Sequence, residues 1–134
     1  MLKPALLLAC LASPAFGDEL LFFQSPSGNI SCMIGTGDFA GARCDIREFT
    51  RTITGFTGGC ALEWGDSFAI APGDSSGNLV CHGDTVADQN AMVLDYGQDI
   101  SLGDITCSSA RTGMSCTNAR GHGFSVSRAD QSLF

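Results

Sequence analysis

The chain has a single lysine, Lys3, only two histidines and no CxxC pair in its 134 residues. Without a CxxC pair the usual spacing of a structural zinc site is missing. Seven basic residues against 14 acidic ones leave a net charge of −7. Such a surface repels nucleic acid and anionic lipid. No apolar run approaches the roughly 20 residues that span a bilayer. No interior stretch repeats apolar residues at helical spacing, which points away from a helical fold. No cofactor motif is present.

The amino terminus carries a recognisable signal. Lys3 is followed by the apolar run Ala5-Leu6-Leu7-Leu8-Ala9-Cys10-Leu11-Ala12 and then by Ser13-Pro14-Ala15-Phe16-Gly17. This is the charge, apolar core and small-residue cleavage pattern of a secretory signal peptide. Residues 1–17 are therefore read as the signal and 18–134 as one domain, with cleavage after Gly17 preferred to cleavage after Ala15. Lipid attachment at Cys10 is the weaker reading, because only nine residues precede that cysteine. Loss of Lys3 leaves six arginines as the only basic side chains and lowers the side-chain charge to −8.

Cys10 departs with the signal, and Cys32, Cys44, Cys60, Cys81, Cys107 and Cys116 remain. An even number in an exported chain reads as three disulfides. Many pairings are formally open, but alternation favours nearest neighbours. Ile30, Cys32 and Ile34 share one strand face, as do Ala42, Cys44 and Ile46, with a glycine-rich turn region between them. Ile105 and Cys107 face Met114 and Cys116 in the same way around Arg111-Thr112-Gly113, which leaves Cys60 with Cys81.

An internal echo supports this punctuation. Ser27-Gly28-Asn29-Ile30-Ser31-Cys32 matches Ser76-Gly77-Asn78-Leu79-Val80-Cys81, each a turn feeding a strand. Asn29-Ile30-Ser31 also fits a glycosylation sequon, a weaker reading than the turn. The pattern predicts strands near 20–24, 29–34, 42–47, 60–64, 67–71, 78–82, 91–96, 100–108, 114–118 and 123–127. The fold class is all-β: a small, disulfide-stapled antiparallel sandwich or barrel built from hairpins. A short helix fits only over 127–134, where Ser127 precedes Asp130 as a capping pair.

Candidate chemistry is sparse. His82 and His122 are each followed by glycine, in Cys81-His82-Gly83-Asp84-Thr85 and Gly121-His122-Gly123-Phe124. A hydrolase would use one of them as general base, with Asp84 orienting it and Ser125 or Ser127 as nucleophile. Nothing in the spacing specifies that contact. His82, His122 and Asp84 would supply three zinc ligands, and the carboxylates of Asp95, Asp99 and Asp104 an oxygen cluster, but neither has metal-loop spacing, and no metal is assigned. Trp64 is either core packing on a disulfide or a stacking platform. Arg128 is either an anion clamp or half of an ion pair, and the acid excess favours the pair. The preferred reading is a non-enzymatic secreted or periplasmic module. It presents His122, Arg128, His82, Asp84 and Trp64 to an envelope polymer or protein, with a small secreted hydrolase as the alternative.

Six ordered segments resemble a family of small secreted bacterial proteins catalogued as a domain of unknown function. They are Phe23-Gln24-Ser25-Pro26-Ser27-Gly28-Asn29-Ile30-Ser31-Cys32, Arg43-Cys44-Asp45-Ile46, Cys81-His82-Gly83-Asp84-Thr85, Leu94-Asp95-Tyr96-Gly97, Thr106-Cys107-Ser108-Ser109 and Cys116-Thr117-Asn118, followed by the closing run Gly121 to Arg128. The resemblance implies a secreted or periplasmic single domain with these six cysteines, and no activity. The connector Arg47-Glu48-Phe49-Thr50-Arg51-Thr52-Ile53-Thr54 departs from the family in lacking proline. Mass spectrometry of the unreduced secreted protein is expected to find Asp18 at the amino terminus and no free thiol. Six free thiols, or a chain still starting at Met1, would overturn the compartment assignment.

Overall fold

A computed structural model describes residues 18–54 and 58–134. Residues 1–17, read from sequence as a signal peptide, and with them Cys10, lie outside the described residues. Alternating apolar residues form eleven strands among the described residues. The first five are β1 (Leu20–Gln24), β2 (Ile30–Gly35), β3 (Gly41–Ile46), β4 (Ser67–Ile70) and β5 (Asn78–Leu79). β6 (Met92–Val93), β7 (Asp99–Leu102), β8 (Ile105–Ala110), β9 (Gly113–Thr117), β10 (Gly123–Val126) and β11 (Gln131–Leu133) complete the set. One sheet runs β5-β4-β3-β2-β1-β6 and the other β11-β10-β9-β8-β7. Among the described residues every strand pairing is antiparallel except the short parallel pairing of β6 with β1.

Neither sheet closes on itself; their apolar faces meet as a sandwich. Phe23, Ile34, Cys44, Phe68 and Ile70 come from the first sheet, and Ile105, Cys107, Met114, Phe124 and Val126 from the second, all essentially inaccessible to water. The Phe68 and Phe124 rings lie 6.1 Å apart, tilted by 35°. Cys32 pairs with Cys44 across β2 and β3, and Cys107 with Cys116 across β8 and β9. Cys44 Sγ and Cys116 Sγ then sit 3.8 Å apart, so the two disulfides touch at the centre of the core. The third bond, Cys60–Cys81, holds a loop outside the core.

Three expected elements differ. Residues 60–64 form no strand: Leu62 is exposed and Trp64 is half-buried beside Gly58, so this segment has no apolar face to bury. Only Glu63 pairs, in an isolated bridge with His82. The single strand expected over 100–108 is a hairpin, turned at Gly103, whose φ of +57 suits glycine. The helix expected over 127–134 is strand β11. Buried Gln131 spends its side chain on Thr52 N–H (3.0 Å), Thr50 C=O (3.0 Å) and Ser127 C=O (2.9 Å), and the two long-range bonds to residues 50 and 52 outweigh a capping pair. Ser127 Oγ still accepts from Asp130 N–H at 3.1 Å, but it closes a turn.

The core makes a direct prediction. Phe124→Ala, at the contact between sheets, is expected to lower unfolding free energy by about 3–5 kcal/mol, whereas exposed Leu62→Ala changes it by less than about 0.5 kcal/mol. Guanidinium unfolding followed by circular dichroism measures both.

Candidate functional site

Arg43 and Asp45 alternate with the core residues of β3 and therefore point to the outer face of the first sheet. That face is not left to water. Asp45 is only 7% exposed. Arg43 Nε and Nη2 donate to its two oxygens at 3.0 Å each, and Ser67 Oγ donates at 2.6 Å. From the segment after Cys81, Thr85 Oγ1 donates at 3.1 Å and Val86 N–H at 3.0 Å. Arg43 Nη2 also donates to Asp84 C=O at 2.8 Å. The Arg43-Cys44-Asp45 and Cys81-His82-Gly83-Asp84-Thr85 segments, some forty residues apart, are thus two halves of one network.

Burial works to raise the Asp45 pKa. Hydrogen bonds from Arg43, Ser67 and Val86, with the Arg43 charge, outweigh burial and hold it below the usual 3.8.

His82 belongs to the same network. Its Nε2 lies 2.8 Å from Asp66 Oδ1 and its Nδ1 3.0 Å from Asp84 C=O. Both ring nitrogens are thus engaged within the protein. His82 is 8% exposed. Asp84 contributes its carbonyl to this network, and its carboxylate makes no hydrogen bond among the described residues.

His122 sits elsewhere, in the turn from β9 to β10. Asn118 Oδ1 accepts from its N–H at 3.1 Å, and its carbonyl accepts from Asn118 N–H at 2.9 Å. The next residue must be glycine because a Cβ on Gly123 would strike the Cys116 carbonyl. Among the described residues neither histidine hydrogen-bonds a serine hydroxyl. Ser125 Oγ accepts from Ser115 Oγ at 2.8 Å and Ser127 Oγ donates to Asp130 C=O at 3.0 Å. No three His, Cys, Asp or Glu side chains among the described residues cluster as a metal site. Trp64 stands apart from the grooves, its carbonyl accepting from Arg51 Nη1 at 2.9 Å.

Two grooves adjoin on this side of the molecule. The first, about 590 Å³, is lined by Gln24, Ser31, Asp45, Asp66, Thr85 and Gln89, among others. The second, about 930 Å³, gathers Arg47, Tyr96, Arg111 and Arg128 with several serines. Asn29 and Arg47 line both. Asn29 fixes the shared wall: its side-chain amide donates to Glu48 C=O and accepts from Glu48 N–H, each at 2.9 Å, as a strand neighbour would. Of the five residues proposed from sequence to meet a ligand, only Arg128 lines a groove, together with the candidate nucleophile Ser127. It pairs with Glu48, both side chains about two-thirds exposed (66% and 70%). Arg43, Arg47, Asp45, Tyr96 and Arg111 escape sequence reasoning. The one available signal is a charged Asp45 between Cys44 and Ile46, two positions from a partner arginine.

The chain matches a family of unknown function (DUF6636) over residues 3–134. No curated protein and no solved structure matches it. No helix among the described residues is long and apolar enough to cross a membrane, which says nothing of membrane β-barrels.

Asp45 carries a pH prediction. Because its folded pKa is depressed, its contribution to stability is complete above the unfolded value of about 3.8 and is lost as pH falls through the lower folded value. Asp45→Asn is expected to cost about 3 kcal/mol at neutral pH, because the largely covered Arg43 guanidinium loses its carboxylate partner. Its unfolding free energy should also fall less steeply below pH 4 than that of wild type, as read from urea titrations across pH.

Proposed function

The chain belongs to this family of unknown function, and from that premise we propose an extracytoplasmic, non-enzymatic module that holds a polymer of the cell envelope along the two adjoining grooves. In this reading residues 1–17 are a cleaved signal and 18–134 the binding domain. The observation that carries it is the shared wall at Asn29 and Arg47, where grooves lined by amides, hydroxyls and guanidinium groups meet on a scaffold locked by three disulfides. Rigid, concave surfaces that set amides, hydroxyls and guanidinium groups among apolar lining suit a sugar chain, which offers both hydroxyls and apolar ring faces.

The role of each candidate follows. Arg128 contacts ligand; His82 and Asp84 hold the floor of the first groove from behind through Asp66 and Arg43. His122 and Trp64, outside both grooves, take no part. Three disulfides suit an oxidising compartment.

Cosedimentation of the secreted protein with purified envelope polymer tests this reading. Wild type is expected to pellet with the polymer, and an Arg47→Ala, Gln89→Ala double variant with unchanged circular dichroism to lose most of that binding. Equal recovery would overturn the groove assignment. Release of soluble polymer fragments by wild type would replace it with the hydrolase reading based on His82 or His122.

A further inference from the structure

Only six basic side chains follow residue 17, and three of them, Arg47, Arg111 and Arg128, line the larger groove. They come from three separate places: the exit of β3, the β8–β9 hairpin and the segment after β10. In a chain with twice as many acids as bases, self-repulsion does not gather cations at one mouth. Resting on the polymer-binding reading, we infer that this groove takes an acidic glycan, a sugar chain whose carboxylates are received by these arginines.

The three guanidinium groups hold donors in reserve. Each has five N–H donors in a planar fork that matches a carboxylate. Arg47 spends one on Gly28 C=O at 3.1 Å. Arg111 makes no hydrogen bond among the described residues and lies over the Tyr96 ring, 5.0 Å from its centroid, which fixes its plane without consuming an N–H. Arg128 is bound only to Glu48, and an ion pair so open to solvent is worth at most about 1 kcal/mol. A ligand carboxylate displaces Glu48 cheaply. Glu48 itself stays in place, because its backbone is clamped by Asn29.

The rest of the lining selects a sugar rather than a bare polyanion. Ser27, Thr112 and the exposed Tyr96 supply hydroxyl partners between the cations. The negative surface beyond the groove penalises a uniformly charged chain that runs past it.

Titration of the secreted protein with a fluorescent oligogalacturonate tests the assignment, beside a neutral oligogalactan of equal length and a polyphosphate of equal charge. The oligogalacturonate is expected to bind, and to weaken as salt rises. Arg111→Gln and Arg128→Gln should each weaken it about tenfold, the size expected for one charge-assisted hydrogen bond. Glu48→Gln should tighten it, and Arg120→Gln, outside the groove, should leave it unchanged. No binding, or binding unaltered by the two groove variants, overturns the site. Equal binding of polyphosphate overturns the sugar assignment. Equal binding of the neutral glycan overturns the role of the carboxylates while leaving the polymer-binding reading standing. Failure of that reading would show instead as loss of all cosedimentation with envelope polymer.

Discussion

Two disulfides in contact hold the molecule's centre. Cys32–Cys44 cross-links the middle of one sheet and Cys107–Cys116 the middle of the other, and Cys44 and Cys116 meet sulfur to sulfur at 3.8 Å. Each bond joins residues directly opposite on adjacent strands, so it fixes hairpin register as well as chain proximity. A one-residue slip would turn a cysteine and all its same-face neighbours outward. Phe68 and Phe124 then pack beside sulfur that is already placed, and a small chain obtains a dense core from few large side chains.

A second constraint acts on the opposite face of the same strand. Cys44 enters the core, and its neighbour Asp45 anchors the outside, drawing the segment after Cys81 onto the sheet through Thr85 and Val86. A buried carboxylate with five donors is stable only as a complete set. Its partners come from strands β3 and β4 and from residues 85–86, so the floor of the first groove is as rigid as the sheet beneath it. Cys60–Cys81 secures the same segment covalently from its other end.

The sequence discloses what local periodicity encodes. Alternating residues around Cys32, Cys44, Cys107 and Cys116 reveal the hairpins and their cross-links, and Ser27-Gly28-Asn29 reveals the turn that Gly28 makes at φ +73. It conceals whatever depends on distant partners. Arg43 and Asp45 occupy outward positions, where solvation is the ordinary expectation, and only a loop forty residues away covers Asp45 and draws Arg43 into its network. Gln131 reads as helical until Thr50 and Thr52 arrive to bond it. The larger groove is drawn from five segments between residues 25 and 129, so no window of sequence contains it. His82 and His122, conspicuous by rarity, prove to be a network member and a turn residue at separate places.

The three disulfides close loops spanning 12, 21 and 9 residues, each joining one cysteine to the next along the chain. No loop encloses or threads another. A chain emerging amino end first therefore meets each cysteine's correct partner before any wrong one of the later pairs exists. Oxidation in order of appearance would yield the native set without passing through a mispaired chain, the state that only thiol–disulfide exchange can correct.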